Sequence, residues 1–332
     1  MYKIEDVNYM VSLFCPGECT NCNIWQYDKD KITNDELNIT LFESIFKSKY
    51  LKETNYFDLT AGESQLSSKY IDVVRIISEN RPNAFIHTNI SGWYPKKHYE
   101  VTLECLKYIK KENFRIDISL DGSEKNYKKI RLVKNGYQKV QESIKLLKTL
   151  GINLRVTMIV YKENYKDIPW FVNFAKENGI GYFIGYARSA NLLKNTSKPY
   201  LHTNDGLNEI EQLLDKVKWL DDRRRPNWLW AKSIYQNNVP IFECYMGERA
   251  LVIDPYGNVF PCHECLDFLK MGNLGDFNGN LDKLLDSNRA IEVIKKVKDK
   301  KCQPCSALCA HKIEFPWGKQ TGLQQDKEEN RC

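Results

Sequence analysis

No stretch of the 332-residue chain approaches the length of apolar residues that crosses a bilayer, so no membrane association is expected. The first residues, MYKIEDVNYMVSLF, lack a basic start, a long apolar run and a small-residue cleavage site. Nothing there marks an export signal, and a cytoplasmic location is expected. Charge of one sign is also in short supply: 49 basic side chains face 43 acidic ones, for a net charge of +6. No basic stripe with interleaved aromatics stands out, so nucleic acid is not an expected partner. The two basic runs, Arg223-Arg224-Arg225 and Lys295 to Lys301, are broken by acids or followed by proline and read as solvated surface. Internal repeats and low-complexity linkers are absent.

Cysteine is abundant. Eleven occur, three within eight residues near the start, seven beyond residue 240, and only Cys105 between. In a chain without an export signal they are expected as reduced thiols, and such clustering favours metal ligation over disulfides or scattered core positions. Cys15-x3-Cys19-x2-Cys22 lies in a loop with Pro16 and Gly17. Three thiolates at this spacing can wrap one face of a cuboidal [4Fe–4S] cluster and leave one iron open. Structural zinc normally takes four protein ligands, so three alone suit it poorly, although the motif by itself leaves zinc open.

Short β-branched or apolar runs alternate with helix-length amphipathic stretches. Strands are predicted at Tyr9–Phe14, Tyr56–Thr60, Ala84–His87, Ile116–Leu120, Leu154–Val160 and Tyr182–Ile184. Helices are predicted at Leu41–Lys49, Tyr70–Glu79, Leu103–Glu112, Tyr137–Leu150 and Ile168–Asn178. Alternation of this kind gives parallel βαβ units whose working residues gather at the C-terminal strand ends. The expected fold is α/β: a partial (β/α)6 TIM-like barrel followed by a small Cys-rich β-hairpin plus helix domain. The expected division is 1–200 for the barrel, 201–240 for a helical connector and 241–332 for the Cys-rich domain. In the later part, a helix is predicted over Asn204–Leu220, broken by Arg225-Pro226-Asn227. A hairpin of Ala250–Ile253 and Val259–Phe260 follows, then a helix over Leu281–Lys300.

The motifs together resemble the radical SAM superfamily over residues 9 to about 185. CPGECTNC is similar to that family's cysteine motif, in which the amine and carboxylate of S-adenosylmethionine (SAM) chelate the open iron. Thr60-Ala61-Gly62-Glu63 resembles its Gly-Gly-Glu segment, with Gly62 and Glu63 implied at the methionyl amine. His87-Thr88-Asn89 resembles the segment that lines the SAM site through Asn89. Ser119-Leu120-Asp121-Gly122 with Arg131 resembles a Ser-x-Asp-Gly…Arg signature, which implies that Ser119 and Arg131 face the ribose and carboxylate. Two departures stand out. Asn21 replaces the usual aromatic residue, so adenine stacking falls to Ile24 or Trp25, and Ala61 replaces a glycine.

Cys244-x12-Gly257-x4-Cys262, with Cys302-x2-Cys305, resembles the twitch and SPASM domains of the same enzymes. One auxiliary [4Fe–4S] cluster on Cys244, Cys262, Cys302 and Cys305 is favoured. The alternatives are a second cluster drawing in Cys265, Cys309 and Cys332, and a zinc ribbon. The resemblance implies reductive cleavage of SAM to a 5′-deoxyadenosyl radical. That radical would take a hydrogen atom from a short peptide or a small molecule such as an amino sugar, giving epimerisation, or oxidation or crosslinking. Cys265 could be the hydrogen-atom donor in epimerisation, or a ligand or buried thiol. A flavodoxin or ferredoxin is the implied reductant. No length or motif for a cobalamin domain is present, which weighs against methyl transfer. The competing reading is a non-catalytic zinc-binding interaction module on an α/β scaffold.

Overall fold

The computed structural model describes residues 2–27, 37–187, 192–195, 204–221, 224–237, 244–266, 268–299 and 302. Six parallel strands come first: β1 (Asp6–Tyr9), β2 (Tyr56–Leu59), β3 (Phe85–Ile90), β4 (Phe114–Ser119), β5 (Asn153–Val160) and β6 (Gly181–Tyr186). They pair in chain order, each with its predecessor. Helices α1 (Ile39–Ser44), α2 (Tyr70–Asn80), α3 (Pro95–Cys105), α4 (Glu124–Arg131), α5 (Gly136–Lys148) and α6 (Ile168–Glu177) fill the crossovers. The result is the expected partial α/β barrel.

The core lies between the sheet and these helices. In α5, Val140, Ile144 and Leu147 fall on one helical face and are buried. They meet strand residues such as Ile116, Ile118 and Val156, all fully buried. Polar residues sit at alternate positions of the same strands, which period two assigns to the opposite, interior face.

Two helices follow, α7 (Asn204–Lys216) and α8 (Arg225–Asn237), then β7 (Ala250–Ile253) and β8 (Asn258–Phe260). The β7–β8 turn is tied by Asp254, whose Oδ1 accepts from Tyr256 N (2.9 Å) and Asn258 N (2.8 Å). Gly257 there takes φ +83°, a conformation that suits glycine. The hairpin does not stand apart from the barrel: β7 pairs in parallel with β1, and the sheet runs β6-β5-β4-β3-β2-β1-β7-β8-β9, with β9 at Gly272–Asn273. Two helices close the described chain, α9 (Leu281–Leu285) and α10 (Asn288–Lys298). None of the described helices is long and apolar enough to cross a membrane.

Four local expectations fail, each for a physical reason. The first strand ends at Tyr9; after Met10 N bonds Ile253 O (2.9 Å), the segment turns away and the Phe14 carbonyl accepts from Glu63 N (2.7 Å) instead. The helix expected at Leu103–Glu112 begins at Pro95, whose fixed φ suits a first helical position, and ends at Cys105. Arg225-Pro226-Asn227 starts a helix rather than only ending one, because a proline in the first turn sacrifices no helical amide bond. The helix over Leu281–Lys300 is split in two by Ser287, whose hydroxyl caps α10 by accepting from Ala290 N (3.2 Å). The helix α4 was missed, since Lys and Asn dominate its short sequence.

Candidate active site and metal centres

Cys15, Cys19 and Cys22 lie on the segment that leaves the C-terminal end of β1. Cys19 is buried, and the other two are half-buried. Contacts from distant parts of the chain hold this segment. Thr20 N donates to Ile130 O at the end of α4 (2.9 Å), Asn23 N to Leu193 O (2.8 Å), and the Asn195 amide to Asn21 O (2.7 Å). Trp93 packs so tightly on Gly17 that a Cβ there would meet the indole at 2.1 Å. Trp93 is itself fixed by Nε1 donating to Tyr127 OH (2.6 Å). Glycine in the cysteine loop is thus a packing requirement. Ile24 is buried with Met10 and Leu13, while Trp25 is half-buried.

The residues singled out by resemblance gather at the neighbouring strand ends. Gly62 follows β2 at φ +53°, and a Cβ there would lie 2.5 Å from Phe14 O and 2.7 Å from Ser12 O. Only glycine lets this turn rest on the backbone leading to Cys15. Glu63 is 2% exposed, and both its oxygens accept from Ser91 N at 3.1 Å. Burial pushes its carboxyl up to about 7 in spite of that bond. At the ends of β3 and β4, Ser119 Oγ donates to Asn89 Oδ1 (3.3 Å). Arg131, at the end of α4, is clamped by buried Asp121 at 2.7 and 2.6 Å and points Nη1 at Cys19 Sγ (3.8 Å). Burial works against this charge, but Asp121, together with Cys19, Tyr127 and Tyr161, more than offsets it and holds the guanidinium firmly protonated. One face of a future cluster therefore has a fixed cation beside it.

The sequence reading missed several supports. His98 on α3 is fully buried; its Nδ1 bonds Gln65 Oε1 (3.0 Å), and its Nε2 faces Glu63 Oε1 at 3.6 Å. Burial pushes its imidazole down to about 3, so it is neutral. Deeper on the interior face, His87 lies between Asp58 (2.9 Å) and Asp117 (3.1 Å). Asp117 is also gripped by Arg155 at 2.9 and 2.6 Å. Against the upward push of burial, Arg155 and His87 hold the Asp117 carboxyl well below the usual carboxylate range. A lone histidine inside a helix, such as His98, gives no signal in sequence; alternate polar residues on β3 and β4 did, but went unread.

At the other end of the sheet, Cys244 and Cys262 pack against the same pair, Met246 and Ala250. Cys265 is 1% exposed, with its Sγ 3.4 Å from that of Cys262. The contact with Cys265, together with burial, pushes the Cys262 thiol up, and Cys302 feels the same sulfur electrostatically. Cys244, Cys262, Cys265 and Cys302 therefore share one neighbourhood. Cys305, Cys309 and Cys332 lie outside the described residues. A small cavity lined by Asp6, Asn8, Val252 and His263 opens where β1 meets β7, which sets the residue after Cys262 against the barrel.

The donor chemistry fits iron–sulfur ligation. Burial pushes the Cys15 thiol up to about 12 and also raises Cys19, so neither is a free nucleophile at neutral pH. Metal binding would supply the energy of ionisation, with Arg131 placed to stabilise the thiolate that forms. Among the described residues, no three His, Cys, Asp or Glu side chains converge on a single-ion site. The spacing of cysteines on a cluster is set by the cluster itself.

An α/β partial barrel with three closely spaced cysteines on the loop after β1 and a buried carboxylate on the turn after β2 defines a class of SAM-cleaving iron–sulfur enzymes. Residues 9–175, half of the chain, match the model of the radical SAM superfamily, and the chain belongs to it. Residues 244–309 match SPASM, an iron–sulfur cluster-binding domain. The protein is thus a SAM-binding radical enzyme with a [4Fe–4S] cluster and auxiliary iron–sulfur ligation, and the zinc-module reading falls away. It is 23% identical over 359 residues to a cysteine-type anaerobic sulfatase-maturating enzyme of Clostridium novyi (strain NT), covering 96% of this chain and 89% of that one. It is 23% identical over 258 residues to the sporulation killing factor maturation protein SkfB of Bacillus subtilis (strain 168), covering 77% of this chain and 58% of that one. Among solved structures, Streptococcus suis SuiB bound to its precursor peptide SuiA has a TM-score of 0.63 at 17% identity, covering 88% of this chain and 67% of that one.

Proposed function

We propose that the chain matures a peptide: it cleaves SAM reductively and oxidises a residue of the bound peptide after removing a hydrogen atom. Bound SAM and its reduced cluster supply a 5′-deoxyadenosyl radical able to take hydrogen from an unactivated C–H bond. Cys15, Cys19 and Cys22 hold the cluster, Gly62 and Glu63 receive the methionyl amine, and Asn89, Ser119 and Arg131 line the rest of the SAM site. Cys244, Cys262, Cys302 and Cys305 hold the auxiliary cluster. The observation that carries the oxidative reading is the parallel pairing of β7 with β1. It carries the hairpin between Cys244 and Cys262 onto the barrel wall at β1, which supports transfer of an electron from the substrate to an auxiliary cluster. The two curated relatives, both maturation enzymes by name, support a peptide substrate.

Epimerisation is the second reading. Cys265 carries it, as a thiol beside Cys262 that could return a hydrogen atom to the substrate. One experiment separates the two. The enzyme, reconstituted anaerobically, is given SAM, a strong reductant and a candidate peptide in deuterated water. Cys15→Ala should lose 5′-deoxyadenosine production altogether. A product lighter by two hydrogens, without label, supports oxidation; one deuterium at an inverted carbon supports epimerisation. SAM cleavage that persists in Cys15→Ala rejects the site.

A further inference from the structure

Three consecutive residues at the end of α4 face three ways. Ile130 accepts a hydrogen bond from the cysteine loop at Thr20 (2.9 Å), and Arg131 reaches inward to Cys19 (3.8 Å). Leu132 turns outward at φ +51°, 57% exposed. This left-handed conformation ends α4, a cap geometry that glycine usually supplies, and a leucine there leaves a large apolar side chain in solvent. Around it the chain reads Lys125, Lys128, Lys129, Leu132, Lys134, and all four lysines are exposed. Of the acids that touch α4 or its cap, Glu124 pairs with Lys128 (2.6 Å), Asp121 with Arg131 (2.6 Å), and Asp167 accepts from Ser123 and Asn126 (both 2.8 Å). An apolar point ringed by cations and joined to a cluster ligand in two steps is suited to receive an electron from an acidic protein.

We propose that the C-terminal end of α4, with Leu132 at its centre and Lys128, Lys129 and Lys134 around it, docks an acidic one-electron carrier protein that reduces the cluster on Cys15, Cys19 and Cys22. The proposal rests on the radical SAM reading and adds its point of electron entry. One electron leaves the carrier's reduced cofactor and enters the cluster; no bond forms and no proton moves. Basic side chains also occur on α10, at Lys295 and Lys296, but that helix runs toward Cys302 and shares no backbone hydrogen bond with the cysteine loop among the described residues.

The test follows bleaching of the cluster's visible absorbance in reconstituted holoenzyme after rapid mixing, with either a fully reduced flavodoxin or dithionite as donor. In Lys129→Glu/Lys134→Glu, flavodoxin-driven reduction should slow by about tenfold or more, the scale of lost electrostatic steering. Its salt dependence should flatten, and the dithionite rate should not change. Leu132→Gly removes the side chain at a backbone position that suits glycine, so it should keep the fold and still slow the flavodoxin reaction. Lys295→Glu/Lys296→Glu should behave as wild type. Equal flavodoxin rates in wild type and Lys129→Glu/Lys134→Glu overturn the proposal, as does a selective loss in the α10 variant. Dithionite-driven SAM cleavage in the same preparations tests the radical SAM reading separately.

Discussion

The two cysteine sites are built on opposite plans. The barrel site is braced by protein. Its loop is pinned by α4, by the segment around Leu193 and by Trp93, and its carboxylate is seated on the Ser91 amide. Among the described residues, the auxiliary site rests on a four-residue strand, a three-residue strand and the packing of two cysteines on Met246 and Ala250. A site that must bind and turn over a cofactor needs its geometry fixed beforehand. A site that holds a permanent cluster can let the metal contribute the organising energy.

The largest effect should come from breaking the second site alone. Cys262→Ala removes a sulfur from the pair at 3.4 Å and should cost the auxiliary iron. Because the barrel site is braced independently, SAM cleavage to 5′-deoxyadenosine should persist, uncoupled from peptide oxidation. Iron counting and 5′-deoxyadenosine assay with dithionite read both. If cleavage disappears as fully as in Cys15→Ala, the two sites are not independent and the comparison fails.

A second prediction probes the buried pair that braces Glu63. In the chain without cluster or SAM the carboxyl is raised to about 7 and the imidazole of His98 lowered to about 3. A raised acid pKa gives stability that is present below the unfolded value and lost as pH rises through 7. A depressed histidine pKa gives stability that is present above its unfolded value and lost as pH falls. The native state thus carries one proton on Glu63 where the unfolded chain carries it on His98, and the two slopes oppose each other between about pH 4.5 and 6.5. Glu63→Gln should leave stability rising with pH in that window, and His98→Gln should leave it falling, each by on the order of 3 kcal/mol across its range. Anaerobic thermal melts from pH 4.5 to 7.5 check this; unchanged slopes in both variants would mean the pair is not coupled to folding. For SAM itself, an iron-bound amine that donates to Glu63 favours the ionised carboxylate, so binding should tighten as pH rises through about 7.

Much of this was legible before the fold was known. Parallel strands announce themselves as short apolar runs, and β2, buried along its whole length, needed only that pattern. Gly62, Glu63, Asn89 and Ser119 were expected from motifs and lie at or just past the ends of β2, β3 and β4, with Arg131 at the end of α4. What stayed hidden depends on tertiary contact. The Trp93–Gly17 packing, the Ser91 amide under Glu63 and the His98 ring behind it join residues 28 to 76 positions apart by no local rule. The first strand was misjudged for a related reason. Tyr9–Phe14 is apolar enough for a strand, but its last carbonyl, Phe14 O, accepts from Glu63 N in the turn instead of from a neighbouring strand.

The smallest effect concerns that same turn, where two adjacent residues both adopt positive φ but only one is glycine. Ala61 sits at φ +75° and Gly62 at φ +53°. A left-handed conformation costs an L-residue roughly 1–2 kcal/mol, so Ala61 stores strain that its family's glycine would not. Ala61→Gly relieves it but enlarges the unfolded ensemble, which returns roughly 0.5–1 kcal/mol. The net gain should be up to about 1 kcal/mol, seen as a small rise in melting temperature with SAM cleavage retained. Gly62→Ala makes the counterpart. Its Cβ would press on Phe14 O at 2.5 Å, next to Cys15, so stability and SAM binding should fall together. If Ala61→Gly instead lowers stability, the methyl group contributes packing against Met10 and Leu13 that outweighs the strain, and part of the bracing of the barrel site comes from the very residue that departs from its family.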